Sequence, residues 1–302
     1  MNITFPDRLS QKELQERVLQ ADAVFEAALL QIANDLSNQK DLSLIGLTGP
    51  TCSGKTTAAK MLTDCFLQKG RTVHVISTDD FYFEKNYLLS LSRKAGLEGL
   101  DYDSEKTIDT DLLHTCISSL LAGKPTNLPH FNFFTGLREC GICLNPHKGD
   151  LFLLEGIQIL YPNVRSILQN EPYQSIAICP RSSITVGGRT FLPNDIRLMR
   201  RLVRDVIYRG STPSFTFSLW NNVRKNEERN IFPYLEKCNQ MVDSTMPYEI
   251  GMLKPYLINI LSDMDRSDAA FETAQNILSS IQNVESVNSD FISPNSLYRE
   301  FI

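Results

Sequence analysis

The residues of this chain best suited to chemistry are the eight from Gly49 to Thr56, GPTCSGKT. They fit the pattern G-x-x-x-x-G-K-[ST], in which loop amides and a helix N-terminus bind phosphate oxygens. Lys55 would reach the terminal phosphates of a nucleoside triphosphate, and Thr56 would offer its hydroxyl to Mg²⁺. The predicted nucleotide-binding residues are Gly49, Pro50, Thr51, Cys52, Ser53, Gly54, Lys55, Thr56 and Thr57.

The segments on either side of this loop are those that a phosphate-binding loop requires. Residues 42–48 (LSLIGLT) form a short apolar run that predicts a buried strand. Residues 55–69 carry apolar side chains at helical spacing and are followed by Gly70. A strand, a glycine loop and a helix in this order favour a functional phosphate site over a turn that matches by chance.

Acidic residues follow two further predicted strands. Residues 72–77 (TVHVIS) lead into Asp79 and Asp80, and residues 151–154 (LFLL) lead into Glu155. Ligands of parallel sheets bind outside the carboxyl ends of the strands. Asp79 could accept the proton of an attacking hydroxyl group or hold Mg²⁺ through water, and its alternative role is to cap the next helix. Glu155 is predicted to hold Mg²⁺ together with Thr56.

A basic segment, RLMRRLVRDVIYR at residues 197–209, contains five arginines and one acid. On a helix, Arg197, Arg201 and Arg204 share one face, and Arg200 lies beside them. A solvated helix face would have the same pattern. Because the chain has a net charge of −5 and a phosphate loop, we favour a guanidinium clamp on nucleotide phosphates.

Composition excludes several classes of function. The net charge of −5 argues against general nucleic-acid binding. No apolar run approaches the roughly 20 residues that span a bilayer, and the first residues lack the basic and apolar regions of a signal peptide. With 302 residues, 42% of them hydrophobic, the chain is expected to be a globular cytoplasmic protein.

The pattern of predicted elements indicates an α/β fold with a P-loop NTPase-type parallel sheet sandwiched by helices. It divides the chain into an N-terminal helical segment (1–39), a phosphate-binding domain (40–255) with an arginine-rich lid near 190–212, and a C-terminal helix and tail (256–302). Apolar residues at spacings of three and four predict a helix over residues 10–37. That stripe could pack on the main domain or pair with another subunit, so a homo-oligomer is an open alternative.

Taken in order, five segments resemble the successive motifs of the uridine kinase and phosphoribulokinase family: STDDFY, GLDYDSEKTID, LPHFNFFTGLRE, LLEGI and RLMRRLVRD. The resemblance covers about residues 40–302. At its end, SPNSLYREFI is similar to the terminus of a bacterial nucleoside kinase branch.

This resemblance implies roles for individual residues. Asp79 would be the base for a ribose 5′-hydroxyl, Tyr82 would approach the nucleobase, and Asp103 would bind the ribose hydroxyls. Arg138 would hold the nucleoside, and the arginines would close over the phosphates. The predicted catalytic residues are Lys55, Asp79, Arg197, Arg201 and Arg204, and the predicted substrate-binding residues are Asp79, Tyr82, Asp103, Phe131, Arg138 and Arg200.

Two positions depart from the family pattern. In uridine-cytidine kinases, the motif P-x-Y-D-F-x-x-H-x-R supplies a tyrosine and a histidine that help to recognise the pyrimidine; here Phe131 and Gly136 stand in their places.

Three hypotheses follow: an ATP- and Mg²⁺-dependent kinase of a uridine- or cytidine-like nucleoside, a kinase of another small alcohol such as a sugar phosphate or pantothenate-like compound, and a nucleotide-binding regulator without catalysis. The intact Lys55, Asp79 and Glu155 favour the kinases.

Overall fold

The centre of the fold is a five-stranded parallel sheet, seen in a computed structural model that describes residues 1–94 and 104–302. Its strand order is β10–β7–β2–β6–β3, and two smaller sheets accompany it, one of order β1–β8–β9 and one formed by the hairpin β4–β5. The strands are β1 (Asn2–Thr4), β2 (Leu44–Thr48), β3 (Val73–Ser77), β4 (Thr126–Asn132), β5 (Leu137–Leu144), β6 (Leu151–Glu155), β7 (Tyr173–Cys179), β8 (Ser183–Val186), β9 (Arg189–Phe191) and β10 (Gln240–Asp243).

Helices cover both faces of this sheet. They are α1 (Gln11–Ser37), α2 (Lys55–Gln68), α3 (Lys85–Lys94), α4 (Thr110–Leu121), α5 (Pro162–Leu168), α6 (Pro193–Arg209), α7 (Pro213–Asn230), α8 (Phe232–Leu235), α9 (Glu249–Leu261) and α10 (Phe271–Ile281). Short 3₁₀ turns follow several strands, among them Thr78–Phe81 and Ile157–Leu160, and Leu297–Glu300 lies near the C-terminus.

Alternating side chains of the central strands build two separate cores. In β2, Ile45 and Leu47 pack into one hydrophobic cluster with α1, α2, α6 and α9, whereas Leu44 packs into a second cluster with α4 and α5. Because successive side chains of a strand point to opposite faces, this division places helices on both sides of the sheet. The predicted α/β fold with a P-loop-type parallel sheet is therefore confirmed.

The N-terminal helix packs on the main domain. Ser10 caps α1 in a capping box with Glu13, which satisfies two donors at the start of the helix. The buried face of α1 includes Val18 and Leu29 and belongs to the same core cluster as α2 and the sheet. Of the two alternatives for the apolar stripe, the structure thus shows packing within the chain.

The predicted strand positions agree closely with the structure. The run at residues 42–48 forms β2 from Leu44, the run at 72–77 forms β3 from Val73, and the run at 151–154 lies in β6. In the C-terminal region, α10 begins at Phe271, after a turn at residues 265–268 that the side chains of Asp265 and Asp268 hold. Within residues 1–94 and 104–302, no helix is both long and apolar enough to cross a membrane.

Candidate active site

Three strand ends meet at the carboxyl edge of the sheet. Leu47 in β2 lies opposite Glu155 in β6, and Glu155 lies opposite Ser77 in β3. Because the three strands are parallel, the loop after β2, the carboxylate that ends β6 and Asp79 just after β3 lie at one level. The sheet register therefore brings the predicted phosphate loop and both predicted acidic residues together.

The loop has the backbone shape of an anion cradle. Cys52 and Gly54 have positive φ angles of 57° and 92°, and α2 begins directly afterwards at Lys55. The Lys55 ammonium group donates to the Pro50 carbonyl at 3.2 Å. The buried hydroxyl of Ser53 has no hydrogen-bond partner among the described residues. A polar loop with an unsatisfied hydroxyl at a helix N-terminus fits a phosphate group.

Asp79 is not the cap of the turn that follows β3. The hydroxyl of Ser77 accepts the Asp79 N–H and caps that turn, while the Asp79 carboxylate accepts a 2.8 Å hydrogen bond from the side-chain amide of Gln158. Burial raises the pKa of Asp79, and the Gln158 hydrogen bond and the charge of Lys55 act in the opposite direction. A carboxylate with a raised pKa at this edge is suited to accept a proton.

Gln158 is a site residue that the sequence analysis missed. Its fully buried side chain donates to Asp79 and, at 2.7 Å, to the hydroxyl of Tyr82, and it accepts a 2.6 Å hydrogen bond from Thr78. The amide thereby orients the Asp79 carboxylate and links it to the hydroxyls of Tyr82 and Thr78. In the sequence, the feature that links Gln158 to the site is its position three residues after Glu155.

Glu155 and Thr56 present the oxygen ligands that Mg²⁺ prefers. Burial raises the pKa of Glu155 to about 7, the charges of Asp79 and Glu300 add to this rise, and Lys55 opposes it. The described residues contain no group of three or more His, Cys, Asp or Glu side chains that could hold a metal ion by themselves. This sparse set still fits Mg²⁺, which commonly binds one or two carboxylates together with substrate phosphates.

Arg197 and Arg200 lie behind the loop, and this corrects the predicted picture of four arginines facing phosphates. Both are fully buried. Arg197 pairs with Glu227 at 2.5 Å and donates to the Thr51 carbonyl, and Arg200 pairs with Glu249 at 2.7 Å. Arg200 also donates to the Cys52 carbonyl at 3.3 Å. Because these buried guanidinium groups are held in ion pairs and donate to loop carbonyls, they support the loop from behind.

The other arginines of α6 gather around one aspartate. Asp205 accepts hydrogen bonds from Arg201 at 3.2 Å and from Arg204 at 2.7 Å, and Arg209 lies 3.7 Å from the same carboxylate. Arg209 is the most exposed of the three, and its charge also acts on Asp79. The role of Arg201 and Arg204 in transfer stays a prediction, and Arg209 joins them as a candidate.

The predicted acceptor residues lie beside Asp79 on the hairpin and on the turn after β3. Arg138 forms an ion pair with Asp109 at 3.0 Å and donates to the Tyr82 carbonyl at 2.9 Å. Tyr82 is almost fully buried, and its hydroxyl accepts from Gln158. Asp103, predicted to bind ribose hydroxyls, lies outside the described residues.

Phe131, one of the predicted substrate-binding residues, is almost completely buried. Only 2% of its surface is exposed, and its ring packs edge-on against those of Tyr82 and Phe133. Phe133, in contrast, is 57% exposed and is the member of this aromatic cluster that reaches the surface. The sequence pattern could not show that Phe131 is buried and that Phe133 is exposed.

Gly136 is fixed by the hairpin turn. It has a φ of 72°, its N–H donates to the Asn132 carbonyl at 2.7 Å, and its own carbonyl accepts from Lys85 at 2.8 Å. A Cβ atom built on Gly136 would lie 2.6 Å from the Cβ of Lys85. The site therefore has no room for a base-reading side chain at this position.

A cavity of about 420 Å³ opens next to the Arg138–Asp109 pair. Phe83 lines it and also lies under the Arg138 guanidinium, 5.8 Å from ring centroid to Cζ. Further lining residues are Glu105, Lys106, Ile108, Asp109, Thr110, Asp111, Pro162 and Asn163. The cavity combines apolar surface with charged and polar side chains, and its size is that of a small-molecule site.

Comparison with known proteins identifies the family. The sequence model of the Phosphoribulokinase / Uridine kinase family matches residues 44–249, which is more than half of the chain. The chain belongs to this family. It is therefore a P-loop kinase, and the strand ends, the loop and the arginine helix described above all lie within the matched residues.

Relatives of this kinase include proteins named as uridine kinases. It is 26% identical over 215 residues to the uridine kinase of Shewanella frigidimarina, with 70% of this chain and 89% of the relative covered. It is 29% identical over 255 residues to uridine-cytidine kinase C of Dictyostelium discoideum, with 83% of this chain and 50% of the relative covered. The match to uridine kinase-like protein 5 of Arabidopsis thaliana covers only 31% of that protein.

A solved structure agrees with the fold of this kinase. A candidate fructose transport system kinase from Silicibacter sp. TM1040 superimposes with a TM-score of 0.52 over 71% of this chain and 98% of that chain, at 17% sequence identity. At that identity, the similarity establishes the P-loop kinase fold alone.

Replacing Arg200 tests whether the ion pair behind the loop is structural. Arg200→Met would leave the Glu249 carboxylate buried without its cation, so we expect the free energy of unfolding to fall by about 3–5 kcal/mol. Urea denaturation measures this change. Arg229→Met, at an exposed position of α7, is the control and should change stability by no more than about 0.5 kcal/mol. Equal, small losses in both variants would contradict the structural role.

Proposed function

We propose that this kinase transfers the γ-phosphate of ATP to the 5′-hydroxyl of a nucleoside and so forms a nucleoside monophosphate. The observation that carries the proposal is the meeting of Lys55, Asp79 and Glu155 at one sheet edge, set by the register of three parallel strands. A nucleotide-binding regulator would need the loop but would have no use for a carboxylate oriented beside it.

The transfer step can be assigned to individual residues. Asp79 accepts the proton of the attacking hydroxyl group. As this proton leaves, the hydroxyl oxygen bonds to the γ-phosphorus, and the bond between that phosphorus and the β,γ-bridging oxygen breaks. Lys55 stabilises the charge on the transferred group. Thr56 and Glu155 would hold Mg²⁺, which when bound neutralises charge on the β- and γ-phosphates.

Two features support a nucleoside as the acceptor. Relatives of the chain are named as uridine or uridine-cytidine kinases. In the structure, Arg138 is held by Asp109, which lines the 420 Å³ cavity. Arg138 also donates to the carbonyl of Tyr82, whose hydroxyl is bonded to the same Gln158 amide as Asp79. Asp103 remains the proposed partner of the ribose hydroxyls.

A second acceptor class has its own support. Gly136 cannot supply a hydrogen bond to a base edge, and Phe131 is covered by its aromatic neighbours. A site that lacks these two base-reading side chains loses much of its discrimination between bases and other ligands. A small alcohol such as a sugar phosphate or pantothenate-like compound is therefore the alternative substrate.

An acceptor panel separates these classes. The protein is incubated with ATP and Mg²⁺ and with nucleosides, sugar phosphates or pantothenate in turn, and ADP release is followed. We expect release with uridine or cytidine and a 5′-monophosphate as product. Asp79→Asn should reduce turnover at least about 10²-fold, while Asp80→Asn, at a carboxylate that instead contacts His130, should retain it. Release with a non-nucleoside alone would exclude the leading proposal.

The hydrogen bond from Gln158 predicts a change in pH dependence. Its N–H stabilises the charged form of Asp79 and so lowers the Asp79 pKa; Gln158→Leu removes the donor, and the pKa should rise. Since the base must be ionised to act, we expect the acidic limb of the kcat/KM profile to move up by about 1–2 pH units. Turnover should fall at neutral pH and recover in alkali.

The control for this variant is Gln169→Leu, at an exposed position after α5, which should leave the profile unchanged. A loss of activity in Gln158→Leu that is the same at every pH would show that Gln158 only stabilises the fold.

A further inference from the structure

The last residues of the chain pack against the phosphate loop. Leu297, Tyr298 and Phe301 are each no more than 1% exposed. The side chain of Leu297 lies against Gly54, so closely that a Cβ atom at this glycine would collide with it. The 3₁₀ turn Leu297–Glu300 is thus part of the wall of the nucleotide site.

The same segment is anchored to the ion pair behind the loop. The hydroxyl of Tyr298 donates to the carboxylate of Glu249, the partner of Arg200. The Arg200 guanidinium lies 5.5 Å from the ring centroid of Tyr298 and 5.1 Å from that of Phe301. These contacts hold the backbone of the tail in place.

Glu300 extends from this anchor to the start of α2. One of its carboxylate oxygens accepts hydrogen bonds from both the N–H and the hydroxyl of Thr57, each at 3.2 Å. Thr57 is the third residue of α2, and the first intrahelical bond of the helix is made by the next residue, Ala58. The Thr57 N–H is therefore one of the free donors that make a helix N-terminus an anion site.

We propose that the Glu300 carboxylate occupies an anion position of the nucleotide site, and that a phosphate of the bound nucleotide must displace it. The tail would thereby act as a built-in competitor that lowers nucleotide affinity. The inference rests on the proposed function only in taking ATP as the ligand of the loop.

Burial and charge both agree with displacement. Glu300 is only partly buried, so its side chain can rotate away while Leu297, Tyr298 and Phe301 stay packed. Its negative charge also acts on Glu155, which is already exposed to the negative charge of Asp79. The positive charge of Lys55 acts on both of these carboxylates. A phosphate entering beside Glu300 would meet like-charge repulsion at close range, which release of the carboxylate removes.

Isothermal titration without an acceptor tests the proposal. Glu300→Gln keeps the shape of the side chain and removes its charge, so we expect ATP, with Mg²⁺ present, to bind about tenfold more tightly than to the unchanged protein. Adenosine, which has no phosphate, should bind equally to both proteins. Glu285→Gln, an equal charge change at an exposed position of the C-terminal region, should leave ATP affinity unchanged.

Unchanged or weaker ATP binding by Glu300→Gln would overturn the inference and show that Glu300 supports the loop. Glu300→Ala removes the same charge with a smaller side chain and must show the same gain, and thermal unfolding of each variant checks that the tail remains packed. If neither the unchanged protein nor any variant binds ATP, the proposed function fails together with this inference. Equal binding by all of them overturns the inference alone.

Discussion

The register of three parallel strands is the constraint on which the rest of this site depends. Glu155 lies between Leu47 of the central strand and Ser77 of the outer strand, so the ends of these strands face one small volume. Lys55 and Asp79 come from the segments that leave the neighbouring strands. A shift of one residue in this register would turn Glu155 to the other face of the sheet and separate it from the loop.

The arginine helix α6 supports the phosphate loop through buried ion pairs, whereas its sequence predicted a positive surface for phosphates. Arg197 and Arg200 are buried in ion pairs and donate to carbonyls of the loop. A buried ion pair has little net benefit for stability compared with apolar packing, but it is costly to break, and it can fix one geometry. Here the geometry fixed is that of the phosphate cradle, while Arg209 remains nearer to solvent.

Much of the fold and the core of the site could be predicted because their signals are local in sequence. The phosphate loop is one continuous motif, and Glu155 directly follows an apolar strand. The pairing of Arg200 with Glu249 could not be predicted, since helical spacing shows which residues share a face but not which carboxylate lies opposite. Glu300 was missed for a related reason: its partner, Thr57, is brought to it only by packing of the tail.

The role of Gln158 was also not predicted, because this residue lies in a mostly apolar segment, GIQIL. Its amide matters because three polar groups converge on it in the folded protein, a property without a sequence signature. A polar residue within an apolar segment just after a strand, as Gln158 is, can be explained by a buried hydrogen-bond network at the site.

The central claim is that Asp79 and Glu155 serve one phosphoryl-transfer centre, and a double-mutant cycle on kcat tests it most directly. Asp79→Asn, Glu155→Gln and the double variant are compared with the unchanged protein, with ATP, Mg²⁺ and the preferred acceptor at saturation. Residues that act as a unit are strongly non-additive, so the double variant should lose little more activity than the more damaged single variant. A loss equal to the product of the two single losses would contradict a shared centre.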